Sequence, residues 1–378
     1  MAVPGIENLA NPRKKNKREN LGDRGHRLRP SNVPSGTDAN LVNLAFDVPD
    51  DVLTNIFSFL PIKEAVQAST VATRFKQSWF FNRKLCFDKD FAKRHAQKDF
   101  LNIVNRVFEL HVGQNIQTLR LFFDPTGVED AVENWIQISI DKEVEELDLN
   151  FSLAKDPYRI TTDFADFESI KILKLCRCEL DLLPTFRGLN SLKTLVLRRI
   201  EINSKFLETV FSNCLSLETL ELVKCRKIGH LRILAQNLRR FKALKLGDCL
   251  GLYQVDIDAP TIRSIHYSGI FILFKFVEIS QLNDVILNFK PLKGIEKFFR
   301  RDSFLCDLSH IAVLSASNTL LEDLSPEYFH RILRFHFGKL KELQLFMENA
   351  VYCNLYHIAY FLKKCPRLEK LFIDVSMC

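Results

Sequence analysis

The sequence predicts an α/β solenoid, a horseshoe whose concave face is one long parallel sheet, preceded by a small three-helix module and a disordered tail. Three observations carry this prediction. One short pattern, apolar–x–x–apolar–x–apolar, recurs eleven times between Ile116 and Ile373. Ahead of it, about forty residues from Leu44 place apolar side chains at helical spacing. Ahead of that, residues 1–42 are polar and basic.

The tail comes first. Its first forty residues hold eight Lys/Arg against four acids, which is +4 of the chain's net +7. So few apolar residues cannot offset the entropy of ordering, and residues 1–42 are expected to be disordered. The cluster Pro12-Arg13-Lys14-Lys15-Asn16-Lys17-Arg18 suits a nuclear import receptor or nucleic acid, and equally a merely solvated tail. The rest of the chain is close to neutral.

Residues 43–87 form the helical module. Pro49 stands where a first-turn proline costs no hydrogen bond, and Asp50 and Asp51 complement the positive end of a helix dipole. Leu53, Ile56, Phe57 and Leu60 then fall at i, i+3, i+4 and i+7, one apolar stripe, and Pro61 stops the helix. A second short helix runs from about Lys63 to Ser69, and a third contains Phe75 and Trp79. Three short helices bury little surface alone, so part of this stripe is expected to await a partner.

Residues 88–115 are a helical linker. Phe100, Val104, Val107 and Phe108 make it amphipathic, suited to cover the open edge of the first repeat. Val128, Val132, Trp135 and Ile136 predict a convex-side helix within that repeat.

The repeats occupy residues 116–378. The clearest copies are Leu192/Leu195/Leu197, Leu217/Leu220/Leu222, Leu340/Leu343/Leu345 and Leu368/Leu371/Ile373, and first members lie 20 to 29 residues apart. That is the period of a leucine-rich repeat, a short strand plus a returning helix or turn. One unit leaves its own apolar edge bare, so neighbours stack.

Strand side chains alternate between faces. Places four and six of each pattern therefore point inward, and places three, five and seven line the concave surface. Those slots present the bases Arg120, Lys174, Arg198, Lys245 and Lys370 and the acids Glu146, Asp148, Glu221, Asp284, Glu342 and Asp374. Phe122, Val196, Val223, Ile286, Phe346 and Phe372 stand among them. A phosphate-backbone binder needs clustered Lys/Arg, so nucleic acid does not suit this face. Apolar anchors among mixed charges suit a protein target. Arg120, Phe122, Glu146, Asp148, Lys174, Arg198, Glu221 and Lys245 are the candidate target-binding residues. Few residues follow Ile373, which leaves the last strand with an open edge that invites pairing.

Ten cysteines do not read as disulfides. Cys178, Cys225 and Cys249 each fall eight residues after the first member of a repeat, and Cys214 and Cys365 three residues before one. Cysteines locked to a repeat are small core residues, and a reducing compartment fits them. The N-terminus lacks the apolar run of a signal peptide, and Gly269–Phe274 is too short to span a bilayer. The expected location is the nucleus, the cytoplasm or both. No phosphate-cradling glycine loop, metalloprotease histidine pair or Gly-x-Ser-x-Gly elbow is present. The chain reads as non-catalytic, with no cofactor.

The run Val48-Pro49-Asp50-Asp51-Val52-Leu53 through Phe59-Leu60-Pro61-Ile62-Lys63-Glu64-Ala65-Val66, followed by Ser69, Arg74-Phe75 and Trp79, resembles an F-box. It departs from that pattern at Val48, where leucine usually precedes the proline, and at Val71-Ala72-Thr73-Arg74-Phe75, where Leu-Ser-x-Arg-Trp is usual. Val132-Glu133-Asn134-Trp135-Ile136, Val144-Glu145-Glu146-Leu147-Asp148-Leu149 and Ala259-Pro260-Thr261-Ile262-Arg263-Ser264-Ile265-His266-Tyr267-Ser268-Gly269 resemble plant F-box/leucine-rich-repeat proteins. The resemblance implies docking on the Skp-type adaptor of a cullin-based (SCF) ubiquitin ligase through Val48, Pro49, Leu53, Ile56, Phe57, Leu60, Pro61 and Trp79. It further implies that the repeats hold an unidentified protein target for ubiquitination, with one copy of the chain per complex. The alternative is a leucine-rich-repeat scaffold that assembles protein complexes without ubiquitin. A third reading is a nuclear, nucleic-acid-associated protein acting through residues 12–29.

Overall fold

The computed structural model describes residues 48–71, 75–161, 167–179, 188–290, 303–324, 336–347 and 355–374. The basic tail and Arg74 lie outside them. The chain forms two compact units, one built from the residues up to Phe123 with Asp130–Val144, the other from Asp124–Glu129 with Glu145 onward.

The first unit opens with α1 (Asp50–Phe59), capped by Pro49 in the extended conformation and carrying Asp50 and Asp51 in its first turn. Pro61 stops it and begins α2 (Ile62–Ser69). The expected third helix is a single 3-10 turn, Ser78–Phe81. Next comes a strand that the helical reading of this segment missed, β1 (Lys84–Phe87), with Leu85 and Phe87 fully buried. A short α3 (Lys89–Ala92) follows, its first turn capped by Asp88, which accepts from the Phe91 N–H at 2.9 Å.

α4 (Gln97–Leu110) buries Phe100, Ile103, Val104, Val107 and Phe108. β2 (Thr118–Phe122) pairs parallel to β1, from Lys84↔Thr118 to Phe87↔Leu121. The amphipathic helix is therefore the crossover of an additional rung, not a cap over the edge of the first one. The physical reason is Lys84-Leu85-Cys86-Phe87 itself, whose alternation makes a half-buried strand. α5 (Glu129–Asp141) buries Val132, Trp135 and Ile136, as their spacing predicts, whereas Val128 precedes the helix and is half-buried; the Trp135 indole N–H donates to Asn105 Oδ1 at 2.8 Å.

Asn82 ties this unit together from complete burial. Its amide nitrogen donates to the carbonyls of Leu60 and Phe57 (2.9 Å) at the end of α1, where Phe57 O also accepts from the Leu60 N–H at 3.2 Å. Its side-chain oxygen accepts from the Lys84 N–H at 2.7 Å, which sets the start of β1. Its carbonyl accepts from His111 Nε2 at 2.9 Å, and Lys142 Nζ sits 2.8 Å from His111 Nδ1. Nε2 thus carries the imidazole proton and Nδ1 accepts from the ammonium. Burial, and then the Lys142 charge, lower the His111 pKa to about 4.

In the second unit ten parallel strands form one sheet. They are β3 (Glu146–Asn150), β5 (Ile172–Cys176), β7 (Thr194–Arg198), β8 (Thr219–Val223) and β10 (Ala243–Gly247), followed by β12 (Ser264–Gly269), β14 (Asp284–Phe289), β15 (Val313–Ser317), β16 (Glu342–Phe346) and β17 (Lys370–Asp374). Register never slips: Leu147, Leu173, Leu195, Leu220, Leu244, Ile265, Val285, Leu314, Leu343 and Leu371 are successive partners. All eleven repeats found in the sequence, counting β2 in the first unit, are strands.

What returns the chain between strands differs from unit to unit. Units of 25, 28 and 29 residues hold the helices α6 (Ser204–Asn213), α7 (Ser303–Asp307), α8 (Asn318–Asp323) and α9 (Leu355–Leu362). Where first members are only 24, 21 and 20 residues apart, three return segments are strands instead. β9 (His230–Leu234), β11 (Gln254–Asp258) and β13 (Leu273–Glu278) form a second parallel sheet, with β11 in the middle. Two-residue strands β4 (Tyr158–Arg159) and β6 (Cys178–Glu179) pair in the same way.

One turn recurs where strands end. Arg177, Arg199, Lys224 and Asp248, each in the eighth place of its repeat, have φ between 49° and 59°. Each donates its N–H to a carbonyl at the end of the next strand, the last residue Arg198, Val223 or Gly247 or the penultimate Ser268, at 2.7–2.9 Å. A left-handed residue costs about 1–2 kcal/mol, and this inter-rung bond offsets it. The turn brings the next residue inward. Cys225 and Cys249 occupy that place and donate Sγ–H to the carbonyls of Leu197 and Leu222, one rung back. Cys178, Cys214 and Cys365 are buried, and burial pushes the Cys214 and Cys365 thiols up to about 12. Among the described residues no helix is long and apolar enough to cross a membrane.

Two outcomes follow from this geometry. The side chain of Lys224 is exposed, so Lys224→Gly is expected to raise stability by up to about 1 kcal/mol, and Lys224→Val to lower it by at least about as much, in urea melts. His111 titrates near 6.5 when unfolded and near 4 when folded. The unfolded chain therefore binds more protons between those values, and stability falls as pH drops through that window, by roughly 3 kcal/mol at most. Urea midpoints measured from pH 7 to pH 4 should show this slope in the parent chain and a flatter one in His111→Gln.

Candidate protein-docking surfaces

In the first unit the expected apolar stripe of α1 divides. Leu53 and Phe57 are 7% and 5% exposed, and Trp79 4%. These three close the module's own core: the turn at Ser78–Phe81 packs on α1, and the Phe57 ring lies 5.6 Å from that of Phe75. Leu53, Phe57 and Trp79 are therefore unavailable to a partner, contrary to the sequence expectation, because the module needs them to fold. Ile56 is 51% exposed and open. Pro49 and Pro61 are exposed at the two ends of α1, and Val48 and Leu60 are half-buried.

Ile56 is joined by two residues that the sequence reading missed, Val52 (43%) and Phe59 (51%). Val52, Ile56 and Phe59 stand at i, i+4 and i+7, which makes them a continuous ridge. At about 100° per residue the apolar residues of α1 sweep roughly 160°, more than one packing partner covers. That width was the available signal. The Arg83 guanidinium lies 5.9 Å from the centre of the Phe59 ring, a cation–π contact. On the polar flank of α1 a cleft of about 400 Å³ is lined by Asp51, Asn55, Ser58, Arg83 and the loop 112–115. Val71, beyond α2, is 79% exposed.

Of the candidate target-binding residues, Arg120 and Phe122 lie half-buried on β2 of the first unit. The other six share the sheet of the second unit. The structure brings four of them together as pairs across rungs. Lys174 Nζ meets Glu146 Oε1 at 2.7 Å, and Arg198 reaches Glu221 Oε1 through Nη2 (2.7 Å) and Nε (3.3 Å). Partly exposed pairs of this kind contribute about 0.2–1 kcal/mol each. They set side-chain direction more than stability.

Lys174, Val196, Glu221, Lys245, His266 and Ile286 are successive partners in the fifth place. Val196 is buried by its neighbours, whereas Lys245 is exposed. His266, which the sequence reading passed over, follows Lys245. Burial and then the Lys245 charge lower its pKa, against the pull of Glu221 and Asp284. Asp284 is raised by burial and by Glu342. The face therefore changes along its length. Paired charges from β3 to β8 give way to Lys245 and a neutral imidazole, then to half-buried Ile286 and Phe346 and an exposed Phe372.

Comparison with known proteins agrees with both parts. A profile of the F-box domain matches residues 46–85, and one described as the At1g61320/AtMIF1 LRR domain matches residues 107–378. The Arabidopsis thaliana FBD-associated F-box protein At1g61320 is 30% identical over 378 residues, covering 97% of this chain and 79% of that protein. A relative from the same plant, At1g61330, is 32% identical over 335 residues, 86% of this chain and 74% of its own. F-box/LRR-repeat protein 13 from Arabidopsis thaliana is 27% identical over 361 residues, 86% of this chain and 75% of its own. The chain is a member of the plant F-box/leucine-rich-repeat family.

Proposed function

We propose that this protein is the target-recognition subunit of an SCF-type ubiquitin ligase. The ridge Val52, Ile56 and Phe59 docks on a Skp-type adaptor that itself joins a cullin, and the repeat face holds a protein destined for ubiquitination. One observation carries the reading: a module whose core is already closed by Leu53, Phe57 and Trp79 leaves three large apolar side chains 43–51% exposed in a row on one helix. Covering each is worth on the order of 1 kcal/mol, and Pro49 and Pro61 frame the ridge with rigid ends. Membership of the F-box family supports the choice of a Skp-type adaptor as the occupant.

In this reading the chain performs no bond chemistry of its own. It works by proximity, because tethering a target raises the effective concentration of its lysines near a charged ubiquitin carrier. The complementary target surface has a few apolar side chains for Ile286 and Phe346 and an acidic group for exposed Lys245. It exchanges partners with the paired charges on β5, β7 and β8.

Two measurements test the two surfaces separately. Ile56→Asp with Phe59→Asp should abolish co-purification of the Skp-type adaptor while circular dichroism and melting stay as in the parent chain. Leu53→Ala, by contrast, should cost about 2–5 kcal/mol of stability in the module. Undiminished adaptor capture by the double variant overturns the docking site. Lys245→Glu with Ile286→Asp should retain the adaptor and lose the short-lived proteins that co-elute with the parent chain from its native source. If the same proteins co-elute with the variant, the repeat face is not where targets bind.

A further inference from the structure

A row of like charges stands where three strands of the second unit end. Arg177, Arg199 and Lys224 occupy the eighth place on the successive rungs of β5, β7 and β8, and the inter-rung hydrogen bonds of their turns hold them one strand spacing apart. Arg199 and Lys224 are exposed, and Arg177 is half-buried. Arg226, two residues beyond Lys224, adds a fourth, exposed cation.

Elsewhere on the rungs a cation finds an acid. Lys174 meets Glu146, Arg198 meets Glu221, Lys242 meets Glu218 and Lys290 meets Asp248. The row has no such partner. Glu221 and Asp248 are already taken, and Glu201 pairs with Lys227. Glu179, two residues beyond Arg177, makes no ion pair with any of the four cations. Arg177 Nη2 donates to the Lys155 carbonyl, while its Nε is buried without a hydrogen-bond partner. Burial raises the Cys176 thiol, and Arg199, Arg198 and Arg177 all pull against it, so their fields converge at the end of β5.

The residue types also disagree with the backbone. Arg177, Arg199 and Lys224 are left-handed, with φ of 59°, 54° and 54°. Glycine, asparagine and aspartate take that conformation most readily, and the next two rungs carry Asp248 and Gly269 in the same place. Three long cations there add mutual repulsion to backbone strain, where smaller residues would relieve both. Stability does not account for them; an anion bound across the rungs does.

We propose that Arg177, Arg199 and Lys224, with Arg226 beside them, dock an acidic segment of a partner protein, a short run of Asp or Glu. The row spans two strand spacings, about 10 Å, a length that suits a few carboxylates. Tight binding of a nucleic-acid backbone takes more phosphate contacts than this row offers. Glu179, Glu201, Glu221 and Asp248 flank the row and repel a continuous polyanion. These cations are a separate set from the residues that hold the target in the ligase reading, and docking here requires no ubiquitin chemistry.

Fluorescence anisotropy of a labelled hexaglutamate peptide, titrated with the full chain, tests this. Saturable binding that weakens as salt rises is expected. Arg199→Glu with Lys224→Glu should weaken it at least about tenfold, because like charges are then juxtaposed, with circular dichroism unchanged. Lys341→Glu with Lys363→Glu makes the same change in net charge more than a screening length away and should alter binding less than about twofold. Arg199→Gly with Lys224→Gly should weaken binding and raise the urea midpoint together. No binding by the parent chain overturns the proposal. So does binding that the Arg199 and Lys224 variants leave undiminished, which assigns it to the basic tail. Equal weakening by both charge reversals, or tighter binding of an oligothymidylate of equal charge, overturns it as well.

Discussion

No rung of the second unit can shield its own apolar edge, and that constraint organises everything else in it. Places one, four and six of each repeat must meet the same places of the next, which holds Leu147 through Leu371 in unbroken register. Because the strands cannot slide, the chain absorbs misfit elsewhere. It does so in the left-handed turns at Arg177, Arg199, Lys224 and Asp248, where an inter-rung hydrogen bond offsets the strain. It does so also in the return segments, which are helices in some units and strands β9, β11 and β13 in others.

The first unit meets a different limit, its small size. It compensates with a buried polar centre instead of more apolar surface. Asn82 uses its side-chain amide and carbonyl on three backbone partners, and His111 and Lys142 extend that network. A buried polar group is tolerable only when every partner is supplied, and here they are. This core needs only Leu53, Phe57 and Trp79 from the apolar residues around α1, so Val52, Ile56 and Phe59 remain outside. The exposed ridge is thus a by-product of how few side chains the core consumes.

Charge on the repeat face follows from the register as well. Residues in equivalent places on neighbouring rungs stand one strand spacing apart, so an acid and a base there find each other, as do Lys174 and Glu146, or Arg198 and Glu221. A face that reads as five bases and six acids is then largely self-neutralised. What the pairing leaves over is Lys245, His266 with its lowered pKa, and the apolar side chains toward β16 and β17.

Much of this was legible in the residues. The eleven strands, α1, α2, α4 and α5 and the inward cysteines all follow from periodicity, because alternation and helical spacing are properties of neighbours along the chain. Sequence could not decide which apolar residues of α1 are spent inside, since Leu53 and Ile56 look alike until folding buries one and leaves the other half-exposed. Nor could it show that Lys84–Phe87 is a strand, that short repeats return as β9, β11 and β13, or that Asn82 and His111 meet 29 residues apart. Those outcomes depend on contacts between distant segments. Periodicity marks the residues able to be buried; only packing in three dimensions determines which of them are.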